Sequence, residues 1–216
     1  MKKHFLFFLI AVFSFQLIAQ ENKLQLKSGN IFLSSDLQVN TSNYLNYCFM
    51  SFSTMPTAEI KRKIEGEGIQ ILEYIPKNTF VVSIPKNTNT SELAIYGVSA
   101  VSLIKGVHKI DPKIQNNTFP DWAINNGKLS VKVLLYKNAD ISITQELFKS
   151  SAYKVIDVNV FSNSITLEID PSALSALANI NDVWYIEPID PPSVKENKTG
   201  RTLHRSNTIN TNYASG

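Results

Sequence analysis

The strongest constraint on this chain is a pattern that occurs twice: strand, helix, strand, turn, strand, short helix, strand. In the first copy, Tyr47 to Phe52 reads as a strand. Pro56 suits the first turn of a helix, where its missing N–H goes unused. Ile60 and Ile64 then share one helix face while Lys61, Arg62 and Lys63 point elsewhere. Gly66 and Gly68 stop that helix. Ile69 to Ile75 and Thr79 to Ile84 are strands around the turn Pro76-Lys77-Asn78. Thr90 or Ser91 caps a short helix through Ile95, Val98 to Ile104 is the fourth strand, and Asp111-Pro112 closes the copy. In the second copy, Leu129, Val131, Val133 and Leu135 alternate with Lys128, Ser130 and Lys132. Ser142 and Gln145 form a capping-box pattern before a helix bearing Ile143, Leu147 and Phe148. Tyr153 to Phe161, a turn at Ser162-Asn163, and Ser164 to Ile169 follow. Asp170-Pro171 starts the short helix, and Val183 to Glu187 is the last strand.

Both copies read β-α-β-β-α-β, the order of a ferredoxin-like unit. The predicted fold class is therefore α+β: two tandem ferredoxin-like units, each a four-stranded antiparallel sheet with two helices on one face. The expected organisation is a leader over 1–20, an N-terminal arm over 21–43 with one short strand at Ile31-Phe32-Leu33, and a first unit over 44–113. A linker over 114–127, a second unit over 128–190 and an extended tail over 191–216 complete it. Trp122 in the linker is read as a staple between units rather than a ligand platform.

Lys2 and Lys3, the apolar run Phe5 to Phe15, and Ala19 before Gln20 form the n-region, h-region and cleavage site of a secretory signal peptide. The run falls short of the about 20 apolar residues a membrane span needs. The expected localisation is thus secreted or cell-envelope, with no membrane association once the leader is removed. The single cysteine, Cys48, has no internal disulfide partner and lies among apolar strand residues, which marks it as a core thiol. The net charge of +3 is spread along the chain without a dense basic stripe, so nucleic acid is not an expected partner.

The chain carries no constellation for catalysis. A subtilisin-type hydrolase needs Asp, His and Ser in Gly-rich signatures, and none of these occurs. The histidines are His4, His108 and His204, without metal spacing, and there is no Cys-x-x-Cys or phosphate loop. No cofactor or metal is expected, and these residues are read as non-enzymatic.

The segments Tyr47-Cys-Phe-Met-Ser-Phe, Ile71-Leu-Glu-Tyr-Ile-Pro-Lys-Asn-Thr-Phe and Val183-Trp-Tyr-Ile-Glu-Pro follow a leader. They precede the tail Gly200-Arg-Thr-Leu-His-Arg-Ser-Asn-Thr-Ile-Asn and Tyr213-Ala-Ser-Gly. Together they resemble the signal peptide and tandem prosegment of secreted bacterial subtilisin-like serine peptidases. The resemblance covers nearly the whole chain after the leader. It implies an intramolecular chaperone and temporary inhibitor whose partner is a subtilisin-like protease domain, in cis or in trans. The sheet face would pack on the enzyme and the tail would lie in the substrate cleft by strand addition. The second unit is then the inhibitory one, with Lys132, Thr166 and Glu187 on its sheet and Arg201, Leu203, His204 and Arg205 in its tail as partner-binding residues. The sequence stops at Gly216 before any catalytic motif, so the chain is expected to be a fragment, a truncated product or a released prosegment. Rival readings are a stand-alone protease inhibitor, an adhesion or scaffold module, and a ligand-binding regulatory pair.

Overall fold

The computed structural model of the chain describes residues 23–33, 37 and 45–192. The leader and the tail beyond Pro192 lie outside the described residues. The architecture is α+β, built from antiparallel sheets and short helices.

The first sheet contains β3 (Leu45–Phe52), β4 (Gln70–Ile75), β5 (Thr79–Pro85) and β6 (Val98–Leu103), in the order β4-β5-β3-β6. All neighbouring pairs are antiparallel. Helix α1 (Ala58–Gly66) joins β3 to β4, and a 3₁₀ turn, Thr90–Tyr96, joins β5 to β6. Pro56 lies before the first turn rather than in it: the N-cap of α1 is Thr57, its hydroxyl accepting from Ile60 N–H at 3.3 Å. The second connection is 3₁₀ rather than an α-helix. Asn89 caps it, and Gly97 ends it at a left-handed φ of 80°. The Thr90 hydroxyl donates instead to the Leu37 carbonyl.

The second sheet has β8 (Lys128–Leu135), β9 (Lys154–Asn159), β10 (Ser164–Ile169) and β11 (Val183–Pro188) in the order β11-β8-β10-β9. The expected four strands become five, because β7 (Ile124–Asn125) turns back onto the start of β8. It covers the Lys128–Leu129 stretch that β11, pairing only from Val131 onward, leaves open. Between β6 and β7 lies α2 (Pro112–Gln115), capped by Asp111. Helix α3 (Ile141–Ser150) is capped by Asp140, which accepts from Ser142 and Ile143 N–H, so the cap falls two residues before the predicted one. Asp170 caps the 3₁₀ turn Pro171–Ala173, as its Asp-Pro pair indicates, and α4 (Leu174–Ala178) follows.

Three apolar clusters hold these elements. One joins Ile64 of α1 and Leu93 to Cys48, Met50 and Phe52 on one side of β3. A second joins Phe148 and Leu177 to Val131, Val133, Leu135, Ile165 and Leu167. The third was not anticipated. The N-terminal arm forms a hairpin of two strands, β1 (Lys23–Leu26) and β2 (Gly29–Phe32), rather than one. Its Leu24 packs with Tyr47, Phe49, Val81 and Ala100 on the back of the first sheet. Tyr136, which follows β8, and Trp184 of β11 join the same cluster. The first sheet is thus buried on both faces, and seven of the eight residues of β3 are buried.

The seam between the sheets is specific. The Tyr47 and Tyr136 rings stack with centroids 3.5 Å apart and planes 5° from parallel. The Tyr47 hydroxyl donates to Asn138 Oδ1 at 3.0 Å, and Asn138 Nδ2 donates to Gln70 at 2.7 Å and Ser83 at 3.2 Å. Lys109 is buried here, its ammonium donating to the Ile180 carbonyl at 3.2 Å and lying 5.6 Å from the Tyr136 ring centroid. Burial lowers its pKa to about 8, against a smaller opposing effect of Asp182.

Two outcomes follow from the seam. The Tyr136 hydroxyl is buried without a hydrogen-bond partner among the described residues. Tyr136→Phe keeps the stacked ring and removes that group, so urea denaturation should show the variant equal to or more stable than wild type, by up to about 1–2 kcal/mol. Between pH 8 and 10.5 the unfolded chain holds the Lys109 proton and the folded chain has lost it, so this residue's contribution rises with pH. Wild-type stability relative to Lys109→Met should climb by on the order of 2 kcal/mol from pH 8 to pH 10 and be flat below pH 7. A parallel pair of curves would reject the buried ammonium.

Candidate partner-binding surface

The outer face of the second sheet is built by the strand period of two. Side chains of β8 at Val131, Val133 and Leu135 enter the core, so Lys132 and Leu134 point to the other side. On β10, Ile165, Leu167 and Ile169 enter the core, and Thr166 and Glu168 share the outer face. Cross-strand register places Glu187 opposite Lys132, Lys132 opposite Thr166, and Thr166 opposite Asp157. These four form one row across the sheet. Glu168 lies opposite both Ser130 and Lys154, and Lys154 Nζ reaches its carboxylate at 2.9 Å.

The structure therefore brings Lys132, Thr166 and Glu187 together. Arg201, Leu203, His204 and Arg205 lie outside the described residues. Lys132 and Thr166 are half-buried, and neither side chain makes a hydrogen bond or ion pair among the described residues. Glu187 differs. Lys27, at the turn of the β1–β2 hairpin, reaches it at 2.8 Å and reaches Asp111 at 3.5 Å. The Tyr185 hydroxyl donates to Asp111 at 3.2 Å, and the Lys27 ammonium lies 5.0 Å from the Tyr185 ring centroid. The Lys27 pKa is raised, chiefly by its hydrogen bond to Glu187. The hairpin thus occupies the β11 side of this face, while Asp157, Lys154 and Asn159 on β9 are exposed.

Asp157 and Lys154 escaped the sequence reading. Alternation from Val155 would put Asp157 into the core, but a β-bulge lies between the Val155–Leu167 and Asp157–Thr166 pairs. The extra residue, Ile156, flips the parity, so that Asp157 faces outward and Val158 packs on the core. The sequence carried no separate signal for the bulge.

Other chemically capable groups are engaged elsewhere. Cys48 is fully buried, and burial pushes its thiol up to about 12, so it stays protonated. His108 has its pKa lowered by burial, and its Nδ1 accepts from the Lys105 N–H at 3.3 Å. Among the described residues no three His, Cys, Asp or Glu side chains group as a metal site. No helix among them is long and apolar enough to cross a membrane. Asp170 is lowered to about 2, first by the Ser172 hydroxyl and then by Ser172 N–H and Lys128, which identifies it as a helix cap.

Residues 14–105 match a family model described as a domain of unknown function, DUF8729. The match takes in the β1–β2 hairpin and the first sheet and stops before the second. No curated protein and no solved structure matches the chain.

Because Lys132 and Thr166 make no internal hydrogen bond or ion pair among the described residues, Lys132→Gln and Thr166→Ser should leave stability within about 0.5 kcal/mol of wild type in thermal denaturation. A larger loss from either would show that the row serves the fold.

Proposed function

We propose that the chain is the prosegment region of a secreted subtilisin-like serine endopeptidase, acting as chaperone and temporary inhibitor of the protease domain. In this reading each sheet with its helices is a ferredoxin-like unit. Both sheets share one strand order, with the first strand central and the last beside it. The β7 strand and the 3₁₀ turn are local departures from that plan.

The observation that carries the reading is an asymmetry between two sheets of like topology. The first is buried on both faces, with Phe49, Val81 and Ala100 covered by the hairpin, Tyr136 and Trp184. The second presents Lys132, Thr166, Asp157, Glu168 and Lys154 on a face that the hairpin covers on one side only. A first unit closed in this way serves as a platform, and the second docks the enzyme. A row of mixed charge favours a partner of complementary pattern over a generic apolar contact. In this reading the residues after β11 engage the substrate cleft by strand addition.

The test is inhibition by the whole chain without its leader, residues 21–216. It should slow a subtilisin-like endopeptidase with micromolar or tighter affinity, about −8 kcal/mol. Lys132→Gln combined with Thr166→Arg should weaken inhibition by about tenfold or more with little change in melting temperature. If the chain leaves every such enzyme untouched, including one from a close relative, the inhibitor reading is lost and a scaffold or adhesion module takes its place.

A further inference from the structure

Lys109 is a buried cation that no acid pairs. It is 4% exposed, and its ammonium makes no ion pair among the described residues. Its partners are the Ile180 carbonyl at 3.2 Å, the Asn181 carbonyl at 3.5 Å and the face of Tyr136. Burial lowers its pKa more than the charge of Asp182 raises it, so the ammonium is under-compensated. The Asp182 carboxylate is itself engaged, accepting from the Thr144 hydroxyl at 3.2 Å. Buried charges ordinarily find a counter-charge.

Lys109 also lines a cavity of about 440 Å³ whose walls come from both sheets. Asn46 and Tyr47 of β3 and Leu103 of β6 form one side, and Asn179 and Asn181, which follow α4, form the other. Lys105, just before the 3₁₀ turn Gly106–Lys109, contributes a second ammonium, and no Asp or Glu lines the space. The Lys105 side chain makes no hydrogen bond or ion pair among the described residues. After burial, its charge is what lowers the His108 pKa, the effect of a positive potential with no acid to offset it. The Asn179 amide makes no hydrogen bond among the described residues, and Asn181 gives one N–H to the Leu45 carbonyl at 3.2 Å and keeps a second. The two walls meet closely, since a Cβ added at Gly106 would come within 2.7 Å of Asn179 Oδ1. The larger cleft beside Trp122, of about 510 Å³, is different: Asp111, Glu187 and Asp190 line it, and the first two already hold Lys27.

We infer that the cavity at the seam is a binding site for a small oxyanion, of phosphate or carboxylate type, held by the Lys105 and Lys109 ammonium groups and the Asn179 and Asn181 amides. The anion supplies the counter-charge that Lys109 lacks, and charge-assisted hydrogen bonds are the strong ones. Because its walls belong to both sheets, a bound ion ties them together and stabilises the seam by mass action. The site stands apart from the prosegment reading: a chain that inhibits no protease still binds the ion.

The test uses the chain without its leader, residues 21–216, at neutral pH, where Lys109 is charged. Nuclear magnetic resonance follows the Asn179 and Asn181 side-chain amides during titration with sodium phosphate and, separately, sodium citrate, against sodium chloride at matched ionic strength. The signals should move and saturate, with a midpoint of about 1 mM or lower, for at least one of the two anions. Whichever saturates names the class. Lys105→Gln, a change at an exposed side chain, should raise that midpoint about tenfold, the worth of one hydrogen bond to a charged group, without altering the melting temperature. Lys109→Met should weaken binding at least as much; if it does not fold, Lys105→Gln and Asn179→Ala decide. A response that never saturates, or that chloride reproduces, overturns the inference as ionic screening. Unchanged binding in Lys105→Gln also overturns it, because the ion then sits elsewhere.

Discussion

Everything in this molecule is arranged around the burial of the back of the first sheet. Tyr47 and Tyr136 meet there as stacked rings, and Asn138 ties the contact to Gln70 and Ser83. A sheet of this kind ordinarily leaves one face to water. Here the hairpin brings Leu24 and Leu33 to that face, and the second sheet brings Tyr136 and Trp184. The two sheets therefore do not behave as beads on a linker. Lys137 reaches the Leu72 carbonyl on β4, and Asn181 reaches the Leu45 carbonyl on β3, so backbone groups of the first sheet are bonded from the second.

The seam also concentrates the groups that are costly to bury. Lys109 gives up most of its hydration for two carbonyls and an aromatic face. The Tyr136 hydroxyl has no hydrogen-bond partner among the described residues. A seam assembled for stability alone would be drier and more apolar. Placing directional groups there fixes the relative orientation of the sheets, which apolar contacts alone specify less sharply.

Much of the fold could be read from residue patterns, and the failures have physical causes. Element order emerged from the switch between periods of two and 3.6, and the Asp170-Pro171 cap stands as predicted. The cap of α3 fell at Asp140 rather than Ser142 because both residues are chemically able to cap. The signal for a doubly buried first sheet lay in β3 but was read as an ordinary one-sided strand: Tyr47, Cys48, Phe49, Met50 and Phe52 are apolar on both parities, unlike the alternating residues of β8. Strand identity is local, but what covers the second face is a tertiary fact. Pairing of Lys132 with Thr166 and Glu187 needed only alternation and strand order, whereas Asp157 was hidden by the bulge at Ile156. The Lys27 ion pairs join residues 160 positions apart to Glu187, beyond the reach of any local pattern.

The contrast between the sheets gives a physical reason for having two of them. A single unit of this size buries little surface and is marginal on its own. Using one whole sheet as a platform, closed on both faces, lets the second expose polar residues without bearing the full cost of stability. The polar row contributes little to folding, since exposed pairs such as Lys154 with Glu168 are worth about 0–1 kcal/mol. In the proposed role the row would select the partner, because an enzyme surface with the wrong charge order meets unpaired groups on desolvation. Glu187 sits where these two roles meet: it extends the row, yet Lys27 of the hairpin holds it. A partner approaching over β11 would therefore have to displace the hairpin turn, while one approaching over β9 and β10 meets the row as it stands, and in the proposed role that makes the β9 side the entry to this surface.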